Sequence, residues 1–480
     1  MVFNPAGRKE IMPAMRRLLI ALAFTLAFTL RAAVTAAAEL PPGVLRALDQ
    51  ARIPTDAIAI VVAPVGEAPT LRHRADAPMN PASLMKLLTT WAGLERFGPA
   101  YAWTTTAWAA QAPQQGRIAG DLYLRGDGDP KFTYERLWQL LRELRAQGVR
   151  EIGGDLVLDR SAFAPREHDA AAFDGRPQRL YNVGPDALLF NFAAMQLTLV
   201  PEGDVVRVWA EPLPAGLEIV NQLRPTAAPA CGNWRTHLRA DFAGSRLVLS
   251  GDLPRICGPS QWMVAAQSNA TLLHGAVTTL WRELGGRFSG GVRESAVPPG
   301  AVQLAVSESP ALAEIVRDLN KWSNNVMARQ LHLTLAASPG ADEAAADLAL
   351  QALLAERGMN FPELVVGNGA GLSRQSRLSA DSLARLLAVA WQGPLMPEFV
   401  ASLPLAGSDG TLRKRYQRND AASRAHLKTG SLDGVKGIAG YLLDKQGRRH
   451  IVVAMVNHPR ADDAQVVFDA LLTWVAAGAR

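Results

Sequence analysis

The chain has 480 residues, 49% of them hydrophobic and 20% charged, with a formal net charge of +6. That length and balance exclude a disordered chain and leave room for two or three hydrophobic cores. Five basic residues (Arg8, Lys9, Arg16, Arg17, Arg31) and one acid (Glu10) lie in the first 38 positions; without them the charge falls to +2, which gives no electrostatic case for a nucleic-acid partner.

Residues 1–38 read as an export signal: Arg16-Arg17, an apolar run from Leu18 to Leu30, then Ala36-Ala37-Ala38 ahead of Glu39. Initiation at Met12 or Met15 would shorten the polar lead. The apolar run is short for a membrane span and no later stretch reaches that length. A soluble exported protein is expected, with an uncleaved anchor as the alternative.

Gly43 to Ala51 predicts a short helix, and Ala57 to Val65 and Thr70 to His73 predict two strands. Next comes Pro81-Ala82-Ser83-Leu84-Met85-Lys86-Leu87-Leu88-Thr89. Leu84, Leu87, Leu88, Trp91 and Leu94 recur at helical spacing up to Gly98-Pro99, so Ser83 and Lys86 share one face at the start of a core helix. A serine hydroxyl attacks poorly until a base takes its proton, and a desolvated lysine amine can be that base. A buried helix with a snorkelling lysine is the plain alternative. Composition favours chemistry: only 8 of the 50 basic residues are Lys, and Arg cannot serve as a base. Ser-x-x-Lys occurs once, where chance gives about 0.3.

From Thr104 the pattern turns to short strands: Gly120 to Gly126, Gly153 to Asp159, Gln196 to Pro201, Val205 to Trp209, Leu217 to Ile219 and Leu247 to Ser250, with one helix from Tyr134 to Gln147. Asp127-Gly128-Asp129 reads as a turn, since the other ligands of a calcium loop are missing and Pro130 follows. Cys231 and Cys257 lie 26 positions apart, and export favours a disulfide over two free thiols. No Cys-x-x-Cys or His-Glu-x-x-His zinc pattern occurs.

Near Ser307 helical spacing returns, over Leu312 to Ala336, Asp342 to Arg357, Asp381 to Gln392 and Asp462 to Ala477. Ala425 to Lys428, Gly437 to Leu443 and His450 to Asn457 read as consecutive antiparallel strands. The end of the chain thus matches its beginning. The expectation is an α/β (α+β) domain, an antiparallel sheet with flanking helices, made from residues 39–105 and 297–480. A β-rich insertion of residues 106–296, with an inner subdomain at about 182–275, interrupts it.

Two later stretches can complete the chemistry. In Lys321-Trp322-Ser323-Asn324-Asn325, Ser323 could relay a proton and the Asn325 amide could hold Lys86 or a substrate carbonyl, although Ser-x-Asn alone is expected about 0.6 times by chance. In Lys428-Thr429-Gly430-Ser431, Lys428 and Thr429 suit a carboxylate and Gly430 would let substrate backbone lie close; the chance frequency of Lys-Thr-Gly is about 0.03. An exposed edge strand with a solvated Lys is the alternative.

Ser-x-x-Lys, Ser-x-Asn and Lys-Thr-Gly in this order resemble the motif set of the penicillin-recognising serine enzymes. The long Ser83 to Ser323 spacing is similar to that of the D-alanyl-D-alanine carboxypeptidase/endopeptidase family, the class C low-molecular-mass penicillin-binding proteins. Gly126-Asp127-Gly128-Asp129-Pro130, Gly367 to Arg374 and Leu403 to Leu412 fit that family; Phe173-Asp174-Gly175 departs from it.

The resemblance implies that Ser83 attacks the penultimate D-Ala carbonyl of a peptidoglycan stem peptide while Lys86 takes its proton. Ser323 and Asn325 would shuttle protons and position substrate, and Lys428 and Thr429 would grip the terminal carboxylate. The amides of Ser83 and Ser431 would bind the oxyanion, and Arg374 would meet an acidic stem-peptide group or form a loop salt bridge. It implies an enzyme without metal or organic cofactor that β-lactams acylate, and the export signal adds a periplasmic location with at most peripheral membrane contact. A β-lactamase or esterase on the same site, or a peptidoglycan-binding protein without turnover, are the competing functions.

Overall fold

The computed structural model describes residues 1, 2 and 39–479. The export signal expected in residues 1–38 falls on positions 3–38, outside the described residues. Ile58–Pro64, Val435–Leu443 and Arg449–Asn457 are nearly unbroken apolar runs, and each is buried on both faces. They form the middle of an antiparallel sheet ordered Ala425–Leu432, Val435–Leu443, Arg449–Asn457, Ile58–Pro64, Leu71–His73.

Strand alternation deals these side chains between two layers. Ala59, Val61, Tyr441, Val453 and Met455 share a core with the helices Met85–Phe97, Leu312–Trp322, Asn325–Thr334 and Ala380–Gln392. Ile58, Ile60, Leu442, Val452 and Ala454 pack against Pro42–Ala51 and Gln465–Ala476 on the other side. The sheet is thus sandwiched between helices, the expected α/β arrangement. Met85–Phe97 is buried at every position from Met85 to Leu94, including Lys86, Thr89 and Thr90. Its crossing with Asn325–Thr334 is so close that a Cβ at Gly93 would lie 2.8 Å from Leu331 Cδ1.

At Trp103 the chain leaves these layers, and it returns at Ser309; the two points are tied by Ser309 N donating to Trp103 O at 2.8 Å and Trp103 N donating to Ser309 Oγ at 3.0 Å. Between them lies a five-stranded sheet ordered Val292–Glu294, Leu156–Asp159, Leu122–Gly126, Thr104–Ala109, Val302–Glu308. Three three-stranded sheets follow, Glu218–Thr226 with Arg246–Pro254 and Leu238–Ala243, Ser260–Ala265 with Ala194–Glu202 and Val205–Glu211, and Arg287–Phe288 with Glu151–Ile152 and Arg117–Ile118. All four sheets contribute to one core. Cys231 and Cys257 form a disulfide. Asp127 makes a turn, its carboxylate accepting from Thr104 N and Oγ1.

Three elements differ from the sequence reading. The helix expected from Leu312 to Ala336 breaks in two, because Ser323 takes a left-handed conformation (φ 56°) and the Asn324 side chain starts a new helix by accepting from Met327 N. Asn269–Glu283, within the stretch read as mostly β, is a helix capped by Ser268 with Leu272, Leu273, Ala276, Val277 and Leu280 on its buried side. Met396–Ser402 is a short unexpected helix.

Candidate active site

Ser83 lies half-buried in a 3-10 turn, Ala82–Leu84, that leads into the Met85–Phe97 helix. Asparagines hold this turn: Asn80 Oδ1 accepts from Ala82 N at 2.9 Å, and Asn80 N donates to Asn457 Oδ1 at 2.7 Å. The nucleophile turn is thereby fastened to the end of the Arg449–Asn457 strand.

Lys86 is fully buried, with Nζ 3.0 Å from Ser83 Oγ, 2.6 Å from Asn325 Oδ1 and 2.6 Å from Ala370 O. None of these partners is a carboxylate. Burial first, then the positive charges of Lys428 and Arg329, hold its pKa well below the usual lysine value. A neutral amine has two N–H donors and one lone pair, which matches the site: two acceptors face it, and the lone pair is left for the Ser83 proton.

Ala370 reaches Lys86 because the 367–371 loop presses on the nucleophile turn. A Cβ at Gly371 (φ +73°) would lie 1.8 Å from Ala82 O, so only glycine fits there. Thr89 Oγ1 adds a 2.7 Å hydrogen bond to Gly369 O.

Asn325 opens its helix with its amide engaged at both ends, Oδ1 accepting from Lys86 and Nδ2 donating to Tyr181 O at 3.1 Å. Ser323, at the break before it, accepts from Lys428 Nζ at 2.8 Å. Lys428 is also fully buried; its other partner is Thr429 O at 2.8 Å, and burial lowers its pKa to about 7. Thr429 Oγ1 lies 3.2 Å from Thr411 Oγ1, while Ser431 is exposed and accepts from Lys436 Nζ at 2.6 Å. Gly430 differs from its expected use: a Cβ there would lie 2.7 Å from Pro81 O, so its smallness brings the strand against the Ser83 turn.

The structure therefore gathers Ser83, Lys86 and Asn325, and Ser323, Lys428 and Thr429, into neighbouring hydrogen-bonded groups, with Gly430 bringing its strand against the Ser83 turn. Arg374 makes no hydrogen bond to these residues, instead donating to Asp433 O at 2.7 Å with its guanidinium 5.1 Å from the Phe173 ring centroid. Tyr181 OH donates to Asp174, which also accepts from Asn182 Nδ2, both at 2.7 Å.

Sequence reasoning missed Arg329, buried and donating to the carbonyls of Asn182 and Val183, and it missed the carbonyls of Ala370 and Tyr181, which carry no side-chain signature. Among the described residues no three His, Cys, Asp or Glu side chains converge to hold a metal ion, and no helix is long and apolar enough to cross a membrane.

A D-alanyl-D-alanine carboxypeptidase of Actinomadura sp. (strain R39) is 28% identical over 416 residues, 82% of this chain and 76% of its own length. D-alanyl-D-alanine carboxypeptidase DacB of Haemophilus influenzae is 26% identical over 391 residues, 79% of this chain and 80% of its own. The crystal structure of penicillin binding protein 4 from Haemophilus influenzae shares the fold with a TM-score of 0.72 at 22% identity, over 89% of this chain and 99% of that one. The same protein, solved in complex with a β-lactam, gives a TM-score of 0.70 at 22% identity, over 90% of this chain and all of its own. The D-Ala-D-Ala carboxypeptidase 3 (S13) family profile matches residues 43–477, nearly every residue described above. With that match running from the first helix to the last, the chain belongs to the D-Ala-D-Ala carboxypeptidase 3 (S13) family.

Proposed function

We propose that this D-Ala-D-Ala carboxypeptidase trims peptidoglycan stem peptides through an acyl-enzyme on Ser83. Ser83 Oγ attacks the penultimate D-Ala carbonyl as its proton passes to Lys86 Nζ. The oxyanion is met by the backbone amides of Ser83 and Ser431. The departing D-Ala amine takes a proton through Ser323, whose hydroxyl accepts from Lys428. Lys428 and Thr429 face the terminal carboxylate, and a bound anion favours the protonated form of Lys428. Water then releases the acyl group, while an amine in its place gives transpeptidation and an internal D-alanyl bond gives endopeptidase action. No metal or organic cofactor enters these steps. Arg374 is read as a contact for an acidic stem-peptide group.

The observation that carries this reading is the carboxylate-free burial of Lys86 3.0 Å from Ser83 Oγ. Residues 39–105 and 297–480 are read as the catalytic unit and 106–296 as its insertion. The basic, apolar and small-residue order of positions 1–38 supports export to the periplasm.

A fluorescent penicillin should label the wild type but neither Ser83→Ala nor Lys86→Arg, since a guanidinium keeps the charge and cannot take the proton. Equal labelling of wild type and Ser83→Ala would end the acyl-enzyme reading. Fast nitrocefin turnover in place of a stoichiometric burst would make the protein a β-lactamase, and equally slow D-Ala release from a pentapeptide by wild type and Ser83→Ala would leave only a binding protein.

A further inference from the structure

The stretch Leu403 to Leu412 lies beside the Lys428-Thr429 strand and brings one side chain within hydrogen-bond distance of Thr429. Thr411 Oγ1 is 3.2 Å from Thr429 Oγ1. Two hydroxyls so spaced can bond to one another. When an anion arrives, each can turn its proton toward one oxygen of a single carboxylate.

A clamp between buried Lys321 and half-exposed Asp409 fixes Thr411 there. Lys321 is 7% exposed, and its Nζ donates to Asp409 Oδ2 at 2.6 Å and to Leu403 O at 2.7 Å, while Asp409 Oδ1 accepts from Leu405 N at 2.8 Å. Gly410, between Asp409 and Thr411, has φ +52° and sits so tightly under Lys321 that a Cβ would lie 2.5 Å from Lys321 O. Lys321 itself is two residues from Ser323. One ion pair therefore couples the Ser323 turn to the loop bearing Thr411.

We propose that Thr411 is a second hydroxyl donor to the free carboxylate of the substrate, and that the Lys321–Asp409 pair is the positioning element that holds it beside Thr429. The proposal rests on the acyl-enzyme reading above and narrows the site to carboxylate-ended substrates.

The test compares two covalent probes on the full chain: a fluorescent penicillin, which carries a carboxylate, and a fluorophosphonate, which carries none. In Thr411→Val the ratio of penicillin to fluorophosphonate labelling rates should fall about tenfold, the order for losing one hydrogen bond to an ionised group. Thr411→Ser, which keeps the hydroxyl, should hold the ratio within about twofold. Lys321→Met should lower the ratio in the same direction as Thr411→Val. A general packing defect slows both probes together and leaves the ratio at the wild-type value, which overturns the proposal, as does an equal drop in Thr411→Ser. An unchanged ratio in Lys321→Met overturns the positioning role. Penicillin labelling that survives Ser83→Ala removes the underlying reading instead, whatever Thr411 does.

Discussion

Lys428 places a buried amine where the fold disfavours its charge, so Lys428→Met should stabilise the protein while removing carboxylate capture. The amine is fully buried, its two partners are a hydroxyl and a carbonyl, and burial takes its pKa from 10.5 to about 7. The unfolded chain then binds a proton that the folded chain lacks between about pH 7 and 10.5, so wild-type stability rises with pH across that window. At about 1.4 kcal/mol per pH unit, the wild type recovers about 3 to 4 kcal/mol between pH 7 and 10. A methionine has nothing to titrate. It also abandons two hydrogen bonds worth about 1 kcal/mol each, but that loss is the same at both pH values. Loss of the Lys428 charge further relieves Lys86, whose pKa it helps to depress, and adds to the variant's lead at neutral pH. Urea midpoints followed by tryptophan fluorescence at pH 7 and pH 10 would measure the difference. The advantage of Lys428→Met should be about 3 to 4 kcal/mol larger at pH 7; a variant equally destabilised at both would show that the ammonium is fully compensated in place and that burial does not control it.

Two further outcomes test neighbouring parts. Arg329→Gln removes one of the cations that lower the Lys86 pKa, so the acid limb of the acylation rate should move to higher pH; a profile reduced in height without moving would contradict that coupling. Replacing Cys231 and Cys257 together by Ser frees a loop of 26 positions, which should cost about 3 to 4 kcal/mol by loop entropy with penicillin labelling changed less than about twofold. Unchanged urea midpoints would refute the stabilising role.

The chemistry was most legible where it is local. Ser83 and Lys86 are three residues apart, so helical geometry alone puts them on one face, and Lys428-Thr429-Gly430 lies within a single strand. Partners that reach the site through the backbone were hidden. The carbonyls of Ala370 and Tyr181 complete the surroundings of Lys86 and Asn325, yet any residue type offers a carbonyl. Ser323 was legible as a candidate but not as a helix break, because apolar spacing continues across it and only the capping side chain of Asn324 restarts the helix. Asn269–Glu283 carried its own signals, a Ser268 cap and apolar residues three and four apart; the turn-rich strands around it drew the reading toward β. Gly430 shows the limit of reasoning about small residues, since its missing side chain makes room for the protein's own Pro81 carbonyl.

The pairing of Ile58–Pro64 with Arg449–Asn457 has a consequence for synthesis. A ribosome makes the nucleophile early, but Asn457, which braces its turn, and the strand paired with Ile58–Pro64 arrive only with the last tenth of the chain. A nascent or C-terminally clipped molecule therefore carries the Ser83–Lys86 pair without that brace. Acylation of Ser83 should begin only once the final strands have docked.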